Sequence, residues 1–206
     1  MTPWSAFYDL LSPDVPGCTQ IAQTIALRRA AIAFCEQSMA WRTSHAPIAV
    51  VSGTAEYDFV PPAQAVVHTV TYAQFEGEEL EITGESDIRF HDWRIQTGTP
   101  QYLMGGATAL TLAPEPDADG TLTLLVALKP TPGATEIDDL IYNEFSDVVV
   151  HGALARLMLS PKKPYTDSQL AAYHQHQFQI KTAAAGTRID RNYTRSPLRT
   201  SIMRRR

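Results

Sequence analysis

Six histidines, His45, His68, His91, His151, His174 and His176, are the residues best suited to proton transfer or metal ligation. His174 and His176 stand two apart on a predicted helix and point in different directions, whereas a zinc-binding helix uses a spacing of three or four. FHDW at 90–93 sets His91 beside Asp92, the pair a hydrolase would use as base and orienter. Adjacent residues on a strand face opposite ways, which makes this a poor pair. Two acidic turns, EGEELE at 76–81 and EPDADG at 115–120, lack the spaced ligands and terminal Glu of a calcium loop. GTPQYLMGG holds glycines, but not in the order that opens a phosphate-binding helix, and no GxSxG or cysteine–histidine signature is present. Cys18 and Cys35 sit outside metal spacing and read as thiols in a reducing compartment, with Cys35 in a helix core. No catalytic residue, metal ligand or cofactor is expected, and the balance moves from enzyme toward assembly protein.

Charge supplies a stronger signal. Residues 1–185 carry ten Lys/Arg against twenty-one Asp/Glu, and residues 186–206 carry seven against one. Such a split marks an interaction tail. An acidic body excludes general nucleic-acid binding, which needs clustered Lys/Arg. In the tail, RIDRNYTRSPLRTSIMRRR, the arginines are threaded with Ile189, Tyr193, Leu198, Ile202 and Met203. Apolar groups filling pockets beside arginine forks suit docking on protein. The expected docking residues are Arg188, Arg191, Tyr193, Arg195, Leu198, Arg199, Ile202, Arg204, Arg205 and Arg206. Fully extended, the twenty residues after Gly186 reach about 66 Å at ~3.3 Å each, far enough to cross a neighbouring subunit. The arm is expected to be mobile in the free monomer and ordered on assembly.

The rest of the chain must position these groups. Residues 1–17 are proline-rich and expected to be irregular. A helix is predicted over 18–42, closed by Trp41, with Ile21, Ile25, Ile32, Cys35 and Met39 as its apolar face. From 48 to about 130 the period changes to two. IAVVSGTAEYDFVPP reads as a strand, a glycine-containing turn and a second strand closed by Pro61-Pro62, and two more strands are expected around the Gly77 turn. In AVVHTVTYAQF, Val66, His68, Val70 and Tyr72 are placed on one face. Residues 87–106 read as a connection. TALTLAPEPDADGTLTLLVALKP reads as a hairpin turning at Asp119-Gly120. From about 138 a helical stripe returns with Ile141, Phe145, Val148, Gly152, Ala155 and Leu159, ending before Pro161. Thr166, with Gln169 in the capping-box position, is expected to cap a last helix whose apolar face is Leu170, Tyr173 and Ile180 and whose stop is Gly186.

The expected fold is therefore α+β. An antiparallel bundle, made of the N-terminal helix and two C-terminal helices, occupies 18–46 and 135–186. An inserted small β-sandwich or barrel occupies 47–134, and an extended basic arm occupies 187–206. The first residues lack the basic and apolar regions of a secretory signal, and no stretch approaches the ~20 apolar residues of a spanning helix, so a soluble protein without a membrane partner is expected.

Trp41 at a helix end, GTAEYDFVPP, the GEELE turn, Trp93, GTPQYLM, LTLAPEPD, LTLLVALKPTP and IYNEFSDVVVHGALARLM follow one another in an order that resembles the head-to-tail adaptor proteins of short-tailed bacteriophages, similar to the tail tubular protein A type. The resemblance covers about residues 15–185. It implies a virion structural protein made in the host cytoplasm. It further implies a homo-oligomeric ring, as a dodecamer, between the portal protein and the tail nozzle or tail fibre protein. Genomic double-stranded DNA would pass through the channel without sequence-specific binding. An acidic body suits such a channel because it repels phosphate. The rival readings are a glycan-binding β-sandwich, with Tyr57, Tyr72, Phe75 and Trp93 as stacking candidates, and the His91–Asp92 hydrolase.

Overall fold

The structure is a computed structural model that describes residues 1–84, 96–106 and 108–191. β1 (Thr2–Pro3) leads into a 3-10 turn (Trp4–Phe7), the single-turn α1 (Tyr8–Leu11) and the long α2 (Gln20–Ser38). Next come β2 (Arg42–Ser44), β3 (Ile48–Val50), β4 (Glu56–Asp58), β5 (Ala65–Phe75), β6 (Glu78–Glu79) and β7 (Glu81–Ile82). They are followed by β8 (Thr97–Gly98), β9 (Tyr102–Gly105), β10 (Ala109–Ala113), β11 (Glu115–Pro116), β12 (Gly120–Pro130) and β13 (Glu136–Ile137). α3 (Asp139–Met158) and α4 (Ser168–Asp190) complete the described elements of a mixed α+β protein. Two compact units emerge. One joins Met1–Trp4 to Trp41–Leu140 and holds the strands; the other joins Ser5–Ala40 to the chain from Ile141 onward.

In the strand unit the two 11-residue strands β5 and β12 pair antiparallel along their length, with β2 and β3 on the far side of β12 and β6 on the far side of β5. β6 returns from β5 through Glu76-Gly77, both at positive φ (48° and 93°), a tight-turn conformation that glycine adopts freely. Leu122, Leu124, Val126 and Leu128 alternate inward from β12, as the period-two pattern predicts. β5 departs from its pattern. The register slips opposite Leu125/Val126 and Ala127/Leu128, so Thr71 and His68 are left without ladder partners. Each bulge resets the alternation. Val70, Ala73 and Phe75 are buried and Tyr72 is exposed, which breaks the expected Val70–Tyr72 face.

The hairpin expected between the TALTLA and TLTLLVALKP stretches does not form. β10 pairs with β4 and β9, whereas β12 pairs with β5, β2 and β3. Pro114 and Pro116 interrupt the connection, and β11 turns aside to pair with β8. Gly120 is not in the left-handed region. It is glycine because a Cβ there would lie 2.6 Å from the Phe75 ring. Tyr102–Gly105, expected as connection, is instead β9 in the interior of the sheet β4-β10-β9-β7, with Leu103 fully buried. The proline-rich start is also ordered: β1 pairs with β13, and buried Trp4 donates its indole N–H to the Ala134 carbonyl at 2.8 Å.

In the helical unit Thr19 caps α2 through its side chain, and Met39 ends it at φ 50°, three residues before the expected limit. The buried face is Gln23, Ala26, Leu27, Ala30, Ala31, Phe34, Cys35 and Ser38. Ile21 and Ile25 point away from it, 75% and 43% exposed. In α3, Ile141, Phe145, Val148, Gly152 and Ala155 are buried as the stripe predicts, and Leu159 lies beyond the helix, exposed. Phe145 takes a non-helical φ of −133° and packs its ring 5.2 Å from that of Phe34. Gly152 lies where the helices meet: an added Cβ would fall 2.8 Å from the Phe178 ring and 2.9 Å from the Ala30 Cβ.

α4 is capped one residue later than expected. Asp167, not Thr166, accepts the Gln169 and Leu170 N–H groups at 2.9 and 3.0 Å. Thr166 instead accepts from the Lys163 N–H and donates to the Ser160 carbonyl. α4 also runs through Gly186 to Asp190. Gly186 is helical and faces the Ser38 backbone, with room for a Cβ 3.7 Å away, so it does not terminate the helix. The buried face is Ala171, Phe178, Thr182, Ala185 and Ile189, and the expected face of Leu170, Tyr173 and Ile180 is about half-exposed.

Candidate functional site

Residues 188–191, assigned to a free arm by the sequence, belong to the end of α4. Arg188 reaches Glu144 on α3 at 2.7 Å, two turns of α4 beyond a looser Lys181–Asp147 pair at 3.4 Å. Ile189 is buried beneath them. Arg191 follows the helix, its N–H bonded to the Thr187 carbonyl. Tyr193, Arg195, Leu198, Arg199, Ile202, Arg204, Arg205 and Arg206 lie outside the described residues, as do His91, Asp92 and Trp93.

Among the described glycan-stacking candidates, Phe75 is buried, Tyr57 is half-buried and Tyr72 is exposed. Tyr57 spends its hydroxyl on its own loop, accepting from the Val51 N–H at 3.0 Å and donating to the Thr54 carbonyl at 2.8 Å. His68, left unpaired by its bulge, lines a cleft of about 190 Å³ with Phe59, Thr69, Ile82, Thr83 and Gly105.

His45 is structural. It is buried, and its Nδ1–H donates to the Ala46 carbonyl at 2.7 Å, while Nε2 accepts the Val60 N–H at 2.8 Å, which fixes the tautomer. His174 finds its partner on another helix, not at His176. Its Nδ1 lies 2.8 Å from Nδ1 of His151 on α3. Burial lowers both pKa values below the ordinary imidazole range. Lys181 lowers His151 further, while Asp14 weakly opposes both shifts and Asp147 opposes that of His151. Comparing i and i+2 positions within one helix gives no sign of this pair, because the contact depends on how α3 packs against α4. Among the described residues no group of three or more His, Cys, Asp or Glu converges as a metal site, and no helix is long and apolar enough to cross a membrane.

What the described surface offers is charge and exposed aliphatic area. The strand unit carries four Lys/Arg against fifteen Asp/Glu, a net −11; the helical unit carries thirteen against seven, but five of those cations belong to residues 192–206, and its described part carries eight against seven, a net +1. Ile21, Ile25, Leu159, Leu170, Tyr173 and Ile180 are exposed on the helical unit. Large exposed aliphatics on helices that already bury another face are a mark of association surfaces.

No curated protein matches the chain. A family model described as SU10 adaptor protein matches residues 9–201, taking in nearly all of both units. The chain therefore belongs to the SU10 adaptor protein family, the structural adaptors of bacteriophage virions.

Proposed function

We propose that the protein is one subunit of a ring-shaped head-to-tail adaptor that joins the portal protein to the tail and encloses the DNA exit channel, as in the tail tubular protein A type. Membership of the adaptor family across residues 9–201 carries this reading. Two further features support it. A strand unit of net −11 suits a channel through which DNA slides rather than sticks. Exposed aliphatic residues on α2 and α4 supply area for contact with other virion proteins. Residues 192–206, with five arginines, serve as the docking arm to the portal or to a neighbouring subunit. The adaptor has no catalytic role in this scheme.

Portal-bearing heads mixed with purified protein test the proposal. Electron microscopy is expected to show a ring below the portal, and loss of that ring when 192–206 are deleted. Heads left bare by the full-length protein would reject the adaptor reading. Normal decoration by the truncated protein would reject the docking role of the arm alone.

A further inference from the structure

On the outer side of α2, next to the end of α3, lies an open groove of about 270 Å³. Its floor is apolar: Ala22, Ile25 and Ala26 from α2 and Leu157 from α3. Arg29 and Arg156 stand at its rim, both exposed. Neither guanidinium has an ion-pair or hydrogen-bond partner among the described residues, unlike Lys181 and Arg188, which are paired. Ile21, one turn before Ile25, and Leu159, just past α3, add exposed aliphatic surface at 75% and 65%. A sequence placing two branched side chains and two unpaired cations around one groove leaves apolar area in water and charge without a partner.

We propose that this groove docks the acidic edge of the strand unit of a second copy of the chain. That edge is β6 and β7, each outermost in its sheet among the described residues. It presents Glu78, Glu79 and Glu81 to solvent, together with Ile82 at 41% exposure. Carboxylates and one aliphatic group are the complement of two guanidiniums and an aliphatic floor. Arginine forks pair with carboxylates in a directed way, and the aliphatic floor supplies the non-directional part of the affinity. The net charge of −11 on the strand unit disfavours its meeting its own kind, and the Arg29 and Arg156 rim gives its carboxylates a basic counterpart. Two different complementary surfaces on one chain make a heterologous contact, the kind that closes into rings when the rotation allows. The inference rests on the ring reading for the existence of contacts between copies and names the residues that make one of them.

The full chain is examined by sedimentation velocity over a wide concentration range, at low and at high salt. Reversible self-association, weaker at high salt, is expected. Arg29→Glu with Arg156→Glu weakens it at least about tenfold, because two attractive pairs become repulsive. Glu79→Arg with Glu81→Arg does the same, and the four changes together restore association. Circular dichroism melts check that each variant folds. Independently, a photo-reactive benzoylphenylalanine at position 25 is expected to cross-link to residues 78–82 of another copy. A monomer at every concentration, pairs of changes without effect, a four-fold swap that fails to restore association, or cross-links elsewhere would each overturn the proposal. Heads decorated by a protein that fails these tests leave the adaptor reading standing. Rescued self-association with bare heads rejects the adaptor reading instead.

Discussion

The Nδ1 atoms of His151 and His174 lie 2.8 Å apart, so α3 and α4 are joined by one proton that either ring can hold. One ring donates and the other must be deprotonated there to accept. Both pKa values are lowered, burial being the first cause. Above the ordinary value of 6.5 the imidazoles are neutral in folded and unfolded chains alike, and the contact is complete. As pH falls through 6.5 the unfolded chain takes up protons that the fold resists, so stability declines. The decline ends once pH passes the lowered folded values. Urea unfolding at pH 7.5 and pH 5.0 is expected to give the lower midpoint at pH 5.0. His174→Asn should shrink that difference, and an unchanged difference would show that the pair does not govern it.

Gly152→Ala is expected to destabilise the protein. On an exposed helix this change gains about 1 kcal/mol. Here the added methyl falls 2.8 Å from the Phe178 ring and 2.9 Å from the Ala30 methyl, and such overpacking costs about 1–3 kcal/mol. Chemical unfolding of the single variant gives the sign. A gain in stability would mean that α4 moves aside freely.

Deletion from residue 192 is expected to leave the melting temperature close to that of the full chain. Deletion from residue 187 removes buried Ile189 and the Arg188–Glu144 pair. The isoleucine is worth about 1.5–3 kcal/mol, and the half-exposed ion pair at most about 1. Comparing the two truncations by calorimetry separates the folded end of α4 from the arm that follows it.

Asp167→Ala is expected to cost about 1 kcal/mol, because one carboxylate oxygen accepts two of the otherwise unpartnered N–H groups at the start of α4. Hydrogen exchange should quicken in the first turn of α4 while α2 stays protected. Equal loosening in α2 would show that the cap acts on the whole unit.

Element types were largely legible in the sequence because they depend on local periodicity. α3 is the best case: its stripe from Ile141 to Ala155 is buried. Facing was legible only where one apolar stripe existed. α2 and α4 each carry two, and the larger side chains, Ile21, Ile25, Leu170, Tyr173 and Ile180, lie on the exposed one. The buried stripes are built from alanine, serine, threonine, glutamine and a few large residues, which hydrophobicity alone ranks lower but which allow close helix approach. Strand pairing failed where it depended on distant partners. β10 and β12 are neighbours in sequence with good turn residues between them, yet each finds a longer or better-matched partner elsewhere. The charge split was visible from counting, but its division between the two units required the fold. The Arg29–Arg156 rim joins residues 127 positions apart and has no local signature.

Ala30 and Phe178 leave no room for a Cβ at Gly152. In a lineage, these three positions cannot drift independently. A larger residue at 152 becomes tolerable only after Phe178 has shrunk or shifted, with Ala30 kept small. Substitutions in this part of the protein should therefore arrive in linked sets that conserve their summed size, while the exposed residues around them vary one at a time.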